Sequence, residues 1–135
     1  MGQQQLLLII LGVIVVGIAV VVGITMFQDN AISANRDAVT NDLVNLGARA
    51  QQFYRRPISL GGGQNSFDLL GTDMSKLVNG ATGSTWTNPN GTYTLESGSG
   101  TSAVVSGEGT EKVGGNPVKV TCTITPDSIQ TVVNN

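Results

Sequence analysis

The sequence has no histidine and one cysteine, Cys122, in 135 residues. Without histidine, the Ser-His-Asp and Cys-His arrangements of nucleophilic catalysis are excluded. A single cysteine excludes an intrachain disulfide. Charge is scarce too: seven Lys and Arg stand against nine Asp and Glu, for a formal net charge of −2. Residues 28–56 sum to +1 and residues 57–135 to −3. A phosphate backbone needs a basic patch, so nucleic acid is not an expected partner. The six aromatics, Phe27, Phe53, Tyr54, Phe67, Trp86 and Tyr93, are too scattered to form a stacking chain. No charge appears before Asp29, no Lys or Arg before Arg36, and no proline between residues 3 and 56.

What fills the uncharged start is "MGQQQ" and then an apolar run, Leu6–Phe27. The run is 22 residues, 15 of them Leu, Ile or Val. As an α-helix it measures ~33 Å, which matches a hydrocarbon core of ~30 Å. On the insertion scale its branched aliphatics favour the membrane by roughly 4–9 kcal/mol. A cleaved signal peptide fits poorly, because its apolar region is shorter, follows a basic start and ends at small residues. A buried core helix fits poorly too, because the rest of the chain is too small to wrap such a rod. The missing basic flank is expected if a short basic leader preceded Met1 and was removed. Gly12, Gly17 and Gly23 lack GxxxG spacing. Glycine is common in membrane helices, yet each one costs ~1 kcal/mol relative to Ala and so weakens the helix locally.

From Phe27 the pattern turns amphipathic. Phe27, Ala31, Ala34 and Ala38 form one stripe; Val39, Leu43, Leu46, Ala50 and Phe53 form a second. Both recur at helical spacing, and Pro57 is a natural stop. The expectation is one helix of about 50 residues, ~75–80 Å long. Its second stripe packs on the chain's own C-terminal part, and its small, alanine-rich stripe faces outward. Residues 57–84 read as a connecting region, with "PISLGGGQ" a loop and "NSFDLLGTDMSKLVNG" holding a short helix or turn. Gly61–Gly63 lacks the Lys-Ser/Thr of a phosphate loop and reads as flexible.

Residues 85–135 read as strands. "NPVKVTCTIT" sets Val118, Val120, Cys122 and Ile124 on one face. "GTYTLE", "TSAVVSG" and "DSIQTVV" are further candidates, separated by Gly and Asn turns. The expected class is α+β: a long N-terminal helix (1–56) packed against a small antiparallel sheet of three or four strands (85–135). Cys122 is expected as a buried thiol. Asp68 with Asp73, and Glu108 with Glu111, lack a third carboxylate nearby, so solvated side chains are expected and no metal or cofactor. Asn90-Gly91-Thr92 fits an N-glycosylation acceptor. Nothing points to an enzyme.

A bare apolar N-terminal helix, an amphipathic continuation, a loop and a small sheet, in that order, resemble mature type IV pilins and pseudopilins over about residues 1–56. In that family a basic leader ending in Gly is removed by a prepilin peptidase, and the new terminus is usually methylated. "MGQQQ" fills the family's first five positions, with Met1 as first mature residue and Gln5 where the family has a glutamate that pairs with a neighbour's amine. Gln5 keeps the hydrogen bond without the charge. The paired C-terminal cysteines and mid-helix proline of many pilins are missing. The resemblance implies a homopolymer with a core of Met1, Gln5, Leu6, Leu7, Leu8, Ile9, Ile10, Gly12, Gly17, Gly23 and Phe27. It implies residence in the inner membrane, then in a cell-surface filament, with the peptidase and assembly machinery as partners. Asp29, Asp37 and Asp42 lie lower on the helix than Arg49, Arg55 and Arg56, so staggered copies would pair them. The leading expectation is a structural subunit, a major pilin. The alternatives are a pseudopilin of a type II-like secretion system and a membrane-anchored surface binding domain that does not polymerise.

Overall fold

A computed structural model describes residues 2–135. One α-helix, α1, runs unbroken from Gly2 to Arg55, 54 residues, or ~81 Å. It passes through Gly12, Gly17 and Gly23 without interruption. It ends where Pro57 removes the next N–H and fixes φ. The chain then folds back onto the helix end. Gly63 donates its N–H to the Phe53 carbonyl (2.8 Å), Gln64 to Arg56 (2.9 Å) and Asn65 to Tyr54 (2.6 Å). These bonds satisfy the carbonyls that any helix leaves orphaned at its C-terminus. The Gly61–Gly63 tract is therefore a hydrogen-bonded cap rather than the flexible loop expected. Glycine is needed there because a Cβ at Gly62 would collide with Arg56, and one at Gly63 with the Ser66 carbonyl.

Residues 57–84 contain two single-turn 3₁₀ helices, Ile58–Leu60 and Met74–Lys76. Asp73 caps the second by accepting the Ser75 N–H. Phe67, Leu70, Met74, Leu77 and Val78 from this segment are buried against the core, whereas Leu69 is exposed. Tyr54 packs against Phe67 with ring centroids 4.9 Å apart and ring planes tilted by 42°.

Five strands follow: β1 (Thr85–Asn88), β2 (Gly91–Ser99), β3 (Ser102–Val113), β4 (Asn116–Ile124) and β5 (Ile129–Val133). They form one antiparallel meander in chain order. The count exceeds the three or four expected. The additional strand is β1, whose Thr85-Trp86-Thr87-Asn88 has one apolar side chain and so no alternation to read. Its turn is chemically explicit, however. The Asn88 side chain accepts the N–H groups of Asn90 (2.9 Å) and Gly91 (3.1 Å), closing a two-residue Pro89-Asn90 hairpin.

β4 alternates strictly, with Val118, Val120, Cys122 and Ile124 all buried. The partners Ala103, Val105 and Gly107 of β3 lie opposite Ile124, Cys122 and Val120. The helix stripe Val39, Leu43, Leu46, Ala50 and Phe53 is buried on this face, so α1 lies mainly across β3 and β4 and touches β5. The approach is close because β3 carries glycines beneath the helix. A Cβ at Gly107 would stand 2.8 Å from Val39 Cγ1 and 3.1 Å from the Tyr93 ring, and one at Gly109 would collide with the Asn35 carboxamide. Gly107→Ala is therefore expected to destabilise the head by about 1–3 kcal/mol, the usual cost of overpacking. Thermal unfolding of the variant in detergent measures it; an unchanged midpoint would show that the helix is not seated on β3.

Cys122 is fully buried, its sulfur 3.9 Å from the Leu43 carbonyl. Burial pushes its thiol up to about 11. Native protein is therefore expected to resist iodoacetamide at about pH 8 and to react once unfolded. Intact-mass analysis distinguishes the two, and prompt native labelling would place the thiol at the surface.

Candidate assembly segment

The two halves of α1 have opposite environments. From Val39 onward, one face is covered by the sheet. Before Ile32 there is no cover: residues 2–31 are exposed, apart from half-buried Gly23. The large apolar side chains from Leu6 to Phe27 are 51–80% exposed. These include Leu6, Leu7, Leu8, Ile9 and Ile10, all grouped by sequence with the assembly core; Gln5 is exposed beside them. Met1 lies outside the described residues. The segment is long and apolar enough to cross a membrane. Its one hydroxyl, Thr25, donates to the Val21 carbonyl at 3.0 Å, so lipid would meet no unsatisfied donor there. A Cβ at Gly12, Gly17 or Gly23 would meet nothing within 4 Å. Nothing inside this chain requires glycine at those positions.

Where the bare half meets the head, Phe27, Ala31 and Ala34 remain exposed, Ala38 is half-buried, and Ile32 turns onto the core. Asn35 bridges helix to sheet: its amide donates to the Asn90 carbonyl (2.8 Å) and its oxygen accepts the Glu111 N–H (3.2 Å). At the far end, Gln51 donates to the Thr125 carbonyl at 3.0 Å and Arg55 to the Pro126 carbonyl at 3.3 Å. The helix is thus tied to the sheet at both ends of their contact.

Asp42 stands apart from the other charges. Its Oδ2 accepts three hydrogen bonds, from Asn88 (2.9 Å), Asn90 (2.9 Å) and the Tyr93 hydroxyl (2.6 Å). Burial raises the carboxyl, but the bonds from Asn90, Tyr93 and Asn88 outweigh it and hold it below the ordinary carboxylate value. Burial, reinforced by Asp42, pushes the Tyr93 hydroxyl above its usual range, so it remains a neutral donor. Asp42 was grouped by sequence with Asp29 and Asp37 as an intersubunit charge; in the fold its carboxylate is engaged within its own chain. The cluster was not legible because its donors lie 46–51 residues downstream; the Asn-Pro-Asn-Gly turn signal was its trace. The same bond uses the Asn90 side chain, the acceptor of the glycosylation triplet, inside the head.

The remaining charges divide. Arg55 pairs with Asp127 at 3.7 Å, both exposed. Arg49 donates to the Leu77 carbonyl at 3.2 Å. Arg49, Arg56 and Lys76 line one cleft. Asp29 and Asp37 are exposed lower on the rod, Asp37 between Ile32 and Val39 where the helix first meets the head. Asp68 accepts the Gly100 N–H (2.7 Å), and Glu108 pairs with Lys119 (3.6 Å). Among the described residues, no three His, Cys, Asp or Glu side chains converge as a metal site would require. Comparison with family models, curated proteins and solved structures finds no match to this chain.

Proposed function

We propose that this chain is the structural subunit of an extracellular, type IV pilus-like filament, held in the inner membrane by Leu6–Phe27 until it is assembled. The observation that carries the reading is continuity. The bare apolar half and the sheet-packed half are one unbroken helix, Gly2–Arg55. A head tethered for binding alone needs no rigid lever between membrane and domain. A polymer does, because the lever fixes each head relative to its neighbour's helix.

Energetics set the environments open to the segment. Each buried Leu, Ile or Val is worth ~1.5–3 kcal/mol relative to water, so fifteen of them exclude a bare rod in solvent. Lipid and a bundle of identical helices remain. Lipid tails are as apolar as Leu, so leaving the membrane gains nothing from hydrophobicity; packing has to compensate. Small residues let backbones approach, and the exposed Gly12, Gly17, Ala31 and Ala34 fit that role toward neighbouring copies. Prepilin peptidase and pilus assembly machinery are the partners this reading calls for.

Negative-stain microscopy of material sheared from expressing cells tests it. Long fibres containing the chain are expected. A detergent-soluble monomer with no fibres would instead establish a membrane-anchored binding domain.

A further inference from the structure

The fold sorts the helix charges in a way that bears on how copies meet. Asp42 is engaged by the head, Arg36 donates to the Asn135 carbonyl at 3.2 Å and Arg55 faces Asp127. What remains is an acidic pair low on the rod, Asp29 and Asp37, and a basic pair high on it, Arg49 and Arg56, all four exposed. Arg56 still belongs to the helical ladder, because its N–H donates to the Gln52 carbonyl at 3.0 Å. Arg49 and Arg56 line a cleft that Lys76 closes from the connecting segment, and no carboxylate lines it. Lys76 donates its ammonium to the Leu69 carbonyl and its charge also acts on Asp73, which accepts the N–H and hydroxyl of Ser75. Three cationic side chains and no carboxylate thus line the cleft, on a chain of net negative charge.

The spacings match. Asp29 to Arg49 is 20 residues and Asp37 to Arg56 is 19. At 1.5 Å per residue these are about 30 and 28.5 Å, so one axial shift brings both acids level with both bases. The acids span about 12 Å along the axis and the bases about 10.5 Å. At 100° per residue the two arginines fall about 20° apart and the two aspartates about 80° apart, with the groups centred about 150° from each other. Acid and base thus lie on different faces. A contact between parallel copies is then heterologous, and it leaves one free acidic and one free basic surface at the ends of any stack.

We infer that the Arg49–Arg56–Lys76 cleft receives Asp29 and Asp37 of a parallel second copy displaced along the helix axis by about 29 Å. The inference rests on the filament reading and gives it a register. Copies inserted in one membrane share their direction, which selects the parallel arrangement. An antiparallel pair would cross the partners, Asp29 with Arg56 and Asp37 with Arg49, and would close as a dimer.

The test uses full-length chain and a short bismaleimide on sheared fibres, with the buried Cys122 silent. Asp37→Cys/Arg56→Cys is expected to give a ladder of covalent multimers, and Asp29→Cys/Arg49→Cys the same. Asp29→Cys/Arg56→Cys and each single variant are expected to stay monomeric. Arg49→Cys also loses its bond to the Leu77 carbonyl, so the Asp37/Arg56 pair decides. Fibres that form but yield no ladder overturn the register and leave the filament reading standing. Cross-linking of the crossed pair, or dimers alone, overturns the parallel arrangement. No wild-type fibres at all would overturn the filament reading and this register together.

Discussion

Val16→Arg is expected to leave the chain in the membrane and to abolish fibres. Val16 lies near the middle of Leu6–Phe27 and is exposed. A central Arg costs about 2.5–3.5 kcal/mol on the insertion scale, against roughly 4–9 kcal/mol of favourable insertion from the fifteen branched aliphatics. Insertion therefore survives, aided by the long side chain reaching toward the interface. A filament core offers no such escape. Every copy would bury a guanidinium among apolar helices with no carboxylate on the Leu6–Phe27 segment to meet it, at several kcal/mol per ion, and the penalty recurs in every subunit. Adding Val20→Arg raises the cost to about 5–7 kcal/mol, level with the roughly 4–8 kcal/mol left from the other aliphatics, and the double variant is expected to lose part of its membrane retention. Membrane flotation and negative-stain microscopy read the two effects separately. If the single variant still forms fibres of normal yield, the apolar half does not form the fibre core.

The long helix was legible because two strong signals agree over it: an apolar run of membrane length and a stripe at 3.6-residue spacing from Val39 to Phe53. The stripe's partner was legible too, since β4 alternates without exception through Val118, Val120, Cys122 and Ile124. Legibility fails where position is set by hydrogen bonds between distant residues. β1 holds its place through pairing with β2 and the Asn88 turn, neither of which leaves a periodic trace. The glycine cap at Gly61–Gly63 reads as a flexible loop because the collision that demands glycine comes from Arg56 and Ser66 after the chain has turned back. The charges behave similarly. Sequence places Asp29, Asp37 and Asp42 in one class, and only the fold distinguishes a carboxylate beneath the β1–β2 turn from two on the open rod. Lys76 could not be placed beside Arg49 and Arg56 until the connecting segment was folded.

Asp42→Ala is expected to cost the head about 3–5 kcal/mol. Hydrogen bonds to a charged group contribute about 1.5–3 kcal/mol each and are not additive; here three converge on one oxygen. Removing the acceptor also leaves the hydroxyl of Tyr93, a fully buried residue, without its partner, which costs about 1–3 kcal/mol and is included in that range. Asp42→Asn keeps an acceptor without the charge, and Tyr93→Phe removes one donor; each is expected to lose about 1–2 kcal/mol. The cluster also ties stability to pH. The folded carboxyl lies below its ordinary value of 3.8. Its contribution is therefore fully present well above 3.8 and is lost as pH falls through the folded value. Asp68 is held low by bonds from the Gly100 N–H and Ser66, and Asp73 by bonds from Ser75, so the wild type alone would not isolate Asp42. The difference between wild type and Asp42→Asn does: it should be constant above about pH 5 and shrink in more acidic solution. Trp86, the only tryptophan, has its ring 5.3 Å from that of Tyr93, so its fluorescence during denaturant unfolding in detergent reports on this cluster. A difference that stays constant down to about pH 2 would mean the Asp42 carboxylate gains nothing from its three donors.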